Sequence, residues 1–294
     1  MKGRNLVVAA LIAVAGGVVL AQAPATEIYL SPLTWSGTKV TVGRAANITN
    51  NPGYDNQPQF LADSSGLLFS SNRDGAQTDI YRYDIGPKKI VQVTATAENE
   101  YSPTLTPDGL TFTTVRGAEQ RLWRFTLGGA DAGLAWAHHG LIGYHVWVSP
   151  ARLATFILGE QRQPATLQLI DIRTGTSEVI ERSIGRSLLI RPGRGTVSFV
   201  HKPQDAPWVI KELNPDTRAV TSLAPTLEGS EDLAWTPDGA VVMGQQSSLF
   251  LWREGTSGWT EIADLGRQGV QNITRLTVSP DGKWMAIVAQ APAR

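Results

Sequence analysis

The chain has 294 residues, 26 basic and 26 acidic, and no cysteine. Such a charge balance excludes a nucleic-acid binder held by phosphate electrostatics. The absence of thiols excludes a disulfide framework, a thiolate metal site, a Cys nucleophile and a lipid-modified N-terminal Cys. With 42% hydrophobic residues the chain can bury a sizeable core.

Lys2 and Arg4 precede an uncharged apolar run, Leu6 to Leu20. At about 15 residues it is too short to span a bilayer comfortably, and small residues follow, so it reads as a secretory leader. Cutting after Ala23 would place Pro24 just past the cut, so Ala21 followed by Gln22 is the better site. The alternative is an uncleaved N-terminal anchor. The expected division is a leader over 1–21 and one domain over 22–294, with no transmembrane span after cleavage. Export without cysteine fits a bacterial periplasm, or secretion. Asn47-Ile48-Thr49 and Asn272-Ile273-Thr274 match the glycosylation pattern, which arises often by chance.

Beyond the leader the chain reads as short strands. Thr26 to Leu30 and Lys39 to Val42 come first. A unit then repeats at a pitch of about 43 residues, within the range of propeller blades. Its first strand ends at a turn: Pro58 to Leu61, Pro103 to Thr106, His145 to Val148, Leu188 to Arg191, Leu233 to Thr236 and Leu276 to Ser279. The turn is Pro-Asp-Gly at Pro107, Pro237 and Pro280, is stretched at Ala62 to Gly66, and is degenerate at Pro150 and Pro192. Asp-Gly between apolar runs signals a tight reversal, because Gly supplies positive φ. Second strands follow at Leu67 to Ser70, Leu110 to Val115, Leu153 to Leu158, Thr196 to Val200, Ala240 to Met243 and Trp284 to Ala289. Third strands follow at Asp79 to Tyr83, Arg121 to Phe125, Thr166 to Asp171, Trp208 to Leu213 and Leu249 to Trp252. Weaker fourth strands are legible at Lys89 to Val93, Glu178 to Glu181, Ala219 to Leu223 and Trp259 to Ile262.

The sixth repeat ends after its second strand. Thr26 to Leu30 has the missing third-strand pattern, and Lys39 to Val42 can serve as the fourth. The expected fold is therefore an all-β six-bladed propeller whose last blade is closed by N-terminal strands, which leaves no gap in the ring.

The units Gln57-Pro58-Gln59-Phe60, Gly66 to Gly75 and Asp79-Ile80-Tyr81 resemble the repeat of TolB-type six-bladed propellers. Blade two matches through Pro103, Pro107-Asp108-Gly109, Arg116-Gly117 and Leu122-Trp123, and blade five through Trp235, Pro237-Asp238-Gly239 and Leu249. The resemblance covers nearly all the mature chain and is specific for fold, not function. It departs from full-length TolB, whose additional N-terminal α/β domain has no counterpart in the roughly 30 residues before blade one. The resemblance implies an envelope protein partner, with a peptidoglycan-associated lipoprotein suggested only through the family.

The sequence shows no Gly-x-Ser-x-Gly elbow, no His-Glu-x-x-His and no phosphate-binding glycine loop. No catalytic residue and no cofactor is expected. His138, His139 and His145 lie close together, but no carboxylate accompanies them and adjacent residues of a strand face opposite ways, so a polar loop is expected there rather than a metal site. Asp63, Asp108, Asp238 and Asp281 are expected to stabilise turns. Arg73 and Arg116 are expected to bond between blades, and Arg182, Arg186, Arg191 and Arg194 to form a solvated basic face.

The expected binding site is the rim of the central channel, just before each innermost strand. Asp55 and Asn56, Glu100 and Tyr101, Tyr144 and His145, Arg186 and Ser187, Glu231 and Asp232, then Thr274 and Arg275 occupy it. Convergent polar groups in a concavity make Asn56, Glu100, Tyr101, Tyr144, His145, Arg186, Glu231, Asp232 and Arg275 the candidate ligand or partner contacts. Ordinary solvation of loop-to-strand junctions would give the same polarity. The function expected is a non-catalytic, exported binding or scaffold propeller. The alternative is a channel-mouth enzyme such as a metal-dependent hydrolase or lactonase, for which Glu100, Glu231 and Asp232 could supply carboxylates.

Overall fold

The computed structural model describes residues 25–75, 77–136, 141–160 and 163–291. The expected leader lies outside these residues, as do His138 and His139.

The chain opens with β1 (Thr26–Ser36), β2 (Lys39–Val42) and β3 (Ala46–Asn47). Five four-stranded antiparallel blades follow. Blade one is β4 (Asp55–Phe60), β5 (Gly66–Ser71), β6 (Asp79–Asp84) and β7 (Lys89–Gln92). Blade two is β8 (Glu100–Leu105), β9 (Thr111–Arg116), β10 (Arg121–Thr126) and β11 (Asp131–Trp136). Blade three is β12 (Ile142–Ser149), β13 (Arg152–Ile157), β14 (Thr166–Asp171) and β15 (Thr176–Arg182). Blade four is β16 (Ile184–Ile190), β17 (Val197–His201), β18 (Val209–Leu213) and β19 (Val220–Pro225). Blade five is β20 (Leu233–Trp235), β21 (Val241–Gln245), β22 (Ser248–Trp252) and β23 (Thr260–Asp264). A single 3₁₀ turn over Gly266–Gln268 is the only helix among the described residues. The chain ends in β24 (Arg275–Val278) and β25 (Trp284–Gln290).

The sixth blade has the order β2-β1-β25-β24 and closes the ring as expected. The first half of β1 pairs with β25 from Thr26↔Gln290 to Pro32↔Trp284, and its second half pairs with β2 from Leu33↔Val42 to Ser36↔Lys39. The short β3 covers the free side of Tyr29 and Leu30. This strand and β11 were too weakly patterned to be legible in the sequence. The innermost strands β4, β8, β12, β16, β20 and β24 contact one another in succession, and β24 returns to β4.

Strand periodicity places the core between the blades rather than inside them. Successive side chains alternate faces, so each blade presents one apolar face to each neighbour. Six buried clusters result, one in every gap. In β1, Ile28 and Leu30 pack with Phe60, Leu67 and Phe69 of blade one, whereas Tyr29 and Leu33 pack with Val242 and Leu249 of blade five. The N-terminal strand therefore joins both gaps beside the closure.

The Pro-Asp-Gly turns work as anticipated. Asp108 accepts hydrogen bonds from the Thr106 hydroxyl (2.7 Å) and the Leu110 N–H (2.9 Å), with Gly109 at φ 67. Asp281 does the same for Ser279 (2.6 Å) and the Lys283 N–H (3.0 Å). Asp238 takes the Thr236 hydroxyl and adds Arg253 at 2.8 Å. In the stretched turn Asp63 accepts from Ser65, while Ser64 takes φ 60 in place of Gly.

Two expectations about arginines are corrected. Arg73 bonds within its own blade, to Asp55 (3.1 Å) and Ser71 (3.1 Å), and lies over the rings of Phe69 and Tyr81. Arg116 likewise stacks 3.5 Å from the Trp123 ring and pairs with Asp131 of its own blade, reaching outside it only to Glu98. Arg191 is buried rather than solvated. It pairs with Glu212 (2.7 Å) and Glu254 (2.6 Å) over the Trp235 ring, because a guanidinium buried on an aromatic face needs carboxylates to hold its charge.

Candidate functional site at the channel mouth

The innermost strands line an open cavity of about 130 Å³ to which all six blades contribute, through Gln57, Ser102, Tyr144, Arg186, Asp232 and Arg275 among others. In β4 and β8 the ladder is interrupted at equivalent places, with Gln57 at φ 58 and Ser102 at φ 55. Such bulges re-aim side chains. Gln57 Oε1 accepts from the Ser102 N–H (2.7 Å) and from the Ser70 hydroxyl (2.9 Å). Ser102 Oγ donates to the Gly143 carbonyl (3.2 Å). Blades one, two and three are thereby stitched together around the channel.

At the mouth, side chains from four blades form one polar network. Arg186 of blade four donates from Nε (2.8 Å) and Nη2 (2.6 Å) to Asp232 Oδ2 of blade five, and from Nη2 to the Thr274 carbonyl (3.0 Å). Arg275 of blade six donates from Nη2 to the Tyr144 hydroxyl of blade three (2.7 Å), the blade opposite, and lies 4.8 Å from that ring. Its Nη1 is 3.7 Å from Asp232 Oδ1. Glu231 is held by Lys202 (2.6 Å) and faces Arg186 at 3.6 Å.

The electrostatics follow from this geometry. Burial works against the Arg186 charge, but Asp232 and Glu231 outweigh it and raise the guanidinium above its ordinary range. Burial also opposes the Glu231 charge, yet Lys202 and Arg186 hold that carboxyl below the usual range. Tyr54 is pushed up by burial, with Arg275 and Arg186 pulling the other way and Tyr144 and Tyr101 adding to the rise.

Five of the nine expected residues thus meet: Tyr144, Arg186, Glu231, Asp232 and Arg275. The other four turn elsewhere. Asn56 bonds Thr26 Oγ1 (3.2 Å), and its Oδ1 accepts from the Gln57 N–H. Tyr101 packs edge-on against Tyr54 at 6.2 Å. The Glu100 carboxylate is buried under the hydroxyls of Thr94 and Thr96, and burial pushes it up to about 7 against those hydrogen bonds. His145 lies in the channel wall, but its Nε2 meets Thr113 Oγ1 of blade two at 2.7 Å. Thr113 also accepts from Trp147 Nε1 (3.0 Å), and burial lowers the imidazole to about 3, so the ring is neutral. Adjacent strand residues point to opposite blades, so a rim reading taken two residues at a time mixes channel and gap positions. Tyr54 and Lys202 were not legible as site residues. Tyr54 sits one position ahead of the residues read for blade one, and Lys202 reaches the mouth from just past a second strand.

Among the described residues no group of three or more His, Asp or Glu is arranged to hold a metal ion. No described helix is long and apolar enough to cross a membrane.

No family model matches the chain, and no curated protein matches its sequence. Solved structures do resemble it. TolB from Acinetobacter baumannii superposes with a TM-score of 0.57 at 13% identity, over 90% of this chain and 64% of that one. The chain thus spans just under two thirds of that TolB. A structure from Agrobacterium tumefaciens described as a TolB gives a TM-score of 0.66 at 15% identity, over 92% of this chain and 100% of the other. An oligogalacturonate lyase in complex with manganese gives 0.55 at 19% identity, over 89% and 78%. The described residues form a TolB-like six-bladed propeller, a fold carried by proteins of different activities.

Proposed function

We propose that the chain is an exported, non-catalytic binding or scaffold propeller whose channel mouth contacts a protein or small ligand. The observation that carries this reading is the state of the ionisable groups at the mouth. Asp232 and Glu231 are each engaged by a cation, and His145 of the wall is neutral and turned into the gap with blade two. A general base needs a free lone pair near its proton and a pKa near the working pH, and these groups are occupied in holding one another. A rigid polar rim fed by several blades suits recognition. Envelope proteins are the expected partners, by likeness to TolB.

The test compares capture of native envelope proteins by the wild-type chain with capture by Arg186→Ala and Glu231→Ala. Partners retained by the wild type and lost with both variants support the reading. Equal capture by all three removes the mouth as the contact. A stoichiometric, tightly held divalent ion in the purified protein would favour the channel-mouth enzyme instead.

A further inference from the structure

We propose that the mouth is a receptor for a carboxylate, with Asp232 acting as an internal stand-in for the ligand. The proposal rests on the binding reading above and names its chemistry. Arg186 and Arg275 both face Asp232, but unequally. Arg186 holds one oxygen through two short bonds, whereas Arg275 stands 3.7 Å from the other, beyond hydrogen-bond reach. Arg275 has a single hydrogen-bond acceptor among the described residues, the Tyr144 hydroxyl. Its side chain is only 13% exposed, and the rest of its planar fork has no protein acceptor there. A largely desolvated guanidinium in that condition favours a carboxylate, whose two oxygens match the fork.

The local charge count agrees. Arg186, Arg275 and Lys202 face Asp232 and Glu231, which leaves one positive charge over. The cavity beside them sets the size. About 130 Å³ holds a few waters, or a carboxylate with its first one or two carbons, and is smaller than the roughly 300–1,000 Å³ of a whole-ligand pocket. What enters is therefore an acidic terminus or an acidic side chain whose remainder lies outside the cavity.

Calorimetric titration with acetate, and with its neutral isostere acetamide, tests this. Wild-type protein should bind acetate and not acetamide. Arg275→Gln should weaken acetate at least tenfold. Asp232→Asn should tighten it about tenfold, because the internal competitor becomes neutral, and a misfolded variant cannot produce that gain. Arg275→Lys keeps the charge and loses the fork, so it should recover only part of the affinity. N-acetyl-Gly-Gly with a free C-terminus and N-acetyl-Gly-Glu amide distinguish a terminal carboxylate from a side-chain one, by which binds more tightly than acetate. Acetate binding that is absent, or unchanged in both Arg275→Gln and Asp232→Asn, overturns the assignment. If partner capture still depends on Arg186 and Glu231 in that case, the mouth remains a binding surface with a different chemistry.

Discussion

Two buried ionisable groups should hide each other's effect on stability, and removing either one should expose the other. Glu100 is pushed from 4.5 to about 7 in the folded protein, chiefly by burial. Between those values the folded state binds more protons than the unfolded, so stability is lost as pH rises. From pH 5 to pH 8 the loss is roughly 2–3 kcal/mol at about 1.4 kcal/mol per pH unit. His145 is lowered from 6.5 to about 3 by burial. Here the unfolded state binds more protons between the two values, so stability falls as pH drops, by about 2 kcal/mol between pH 8 and pH 5. The two nearly cancel, and the wild-type profile should be shallow across this window. Asp55 and Asp79, also raised by burial, add to the Glu100 sense above the ordinary carboxylate range. The aspartates of the turns are lowered and matter only in more acidic solution. Urea unfolding of Glu100→Gln should show stability rising by about 2 kcal/mol from pH 5 to pH 8, since the opposing Glu100 contribution is gone and His145, with His201 lowered by burial in the same sense, sets the slope. His145→Gln should show the reverse slope, falling by roughly 2–3 kcal/mol. Profiles of both variants parallel to the wild type would refute the reasoning.

Deleting Glu27 to Thr41 should destabilise the whole domain, since β1 supplies side chains to the clusters on both sides of blade six; an unchanged melting temperature would contradict the closure. Gly129→Ala should cost about 2 kcal/mol or more by chemical denaturation, because Gly129 lies at φ 88 and an added Cβ would sit 1.8 Å from the Val93 carbonyl oxygen. Asp238→Ala should cost about 1 kcal/mol, through loss of the Thr236 bond in the turn and of a part-exposed pair with Arg253. That variant should leave acetate binding as it was, because Asp238 belongs to a turn and not to the channel cavity.

The sequence by itself determined the fold. Turn chemistry is local, so Pro107-Asp108-Gly109, Pro237-Asp238-Gly239 and Pro280-Asp281-Gly282 could be counted along the chain, and the unfinished sixth repeat pointed to Thr26 to Leu30 as its missing strand. Only the tertiary structure decided which rim residues meet. Arg275 reaches Tyr144 from the opposite side of the ring, 131 positions away in sequence, and Glu100 turns into a threonine-lined gap although its position in the repeat matches that of Asp55. The bulges at Gln57 and Ser102 carry no glycine to mark them. Whether a polar residue at the start of an inner strand faces the channel or a neighbouring blade depends on that backbone offset, and on contacts between chain segments that no local pattern encodes. The same applies to the turn at Leu233 to Gly239. Its sequence reveals the reversal between the first two strands of blade five, while the residues just before it, Glu231 and Asp232, acquire their role only from arginines and a lysine that other blades bring to the channel.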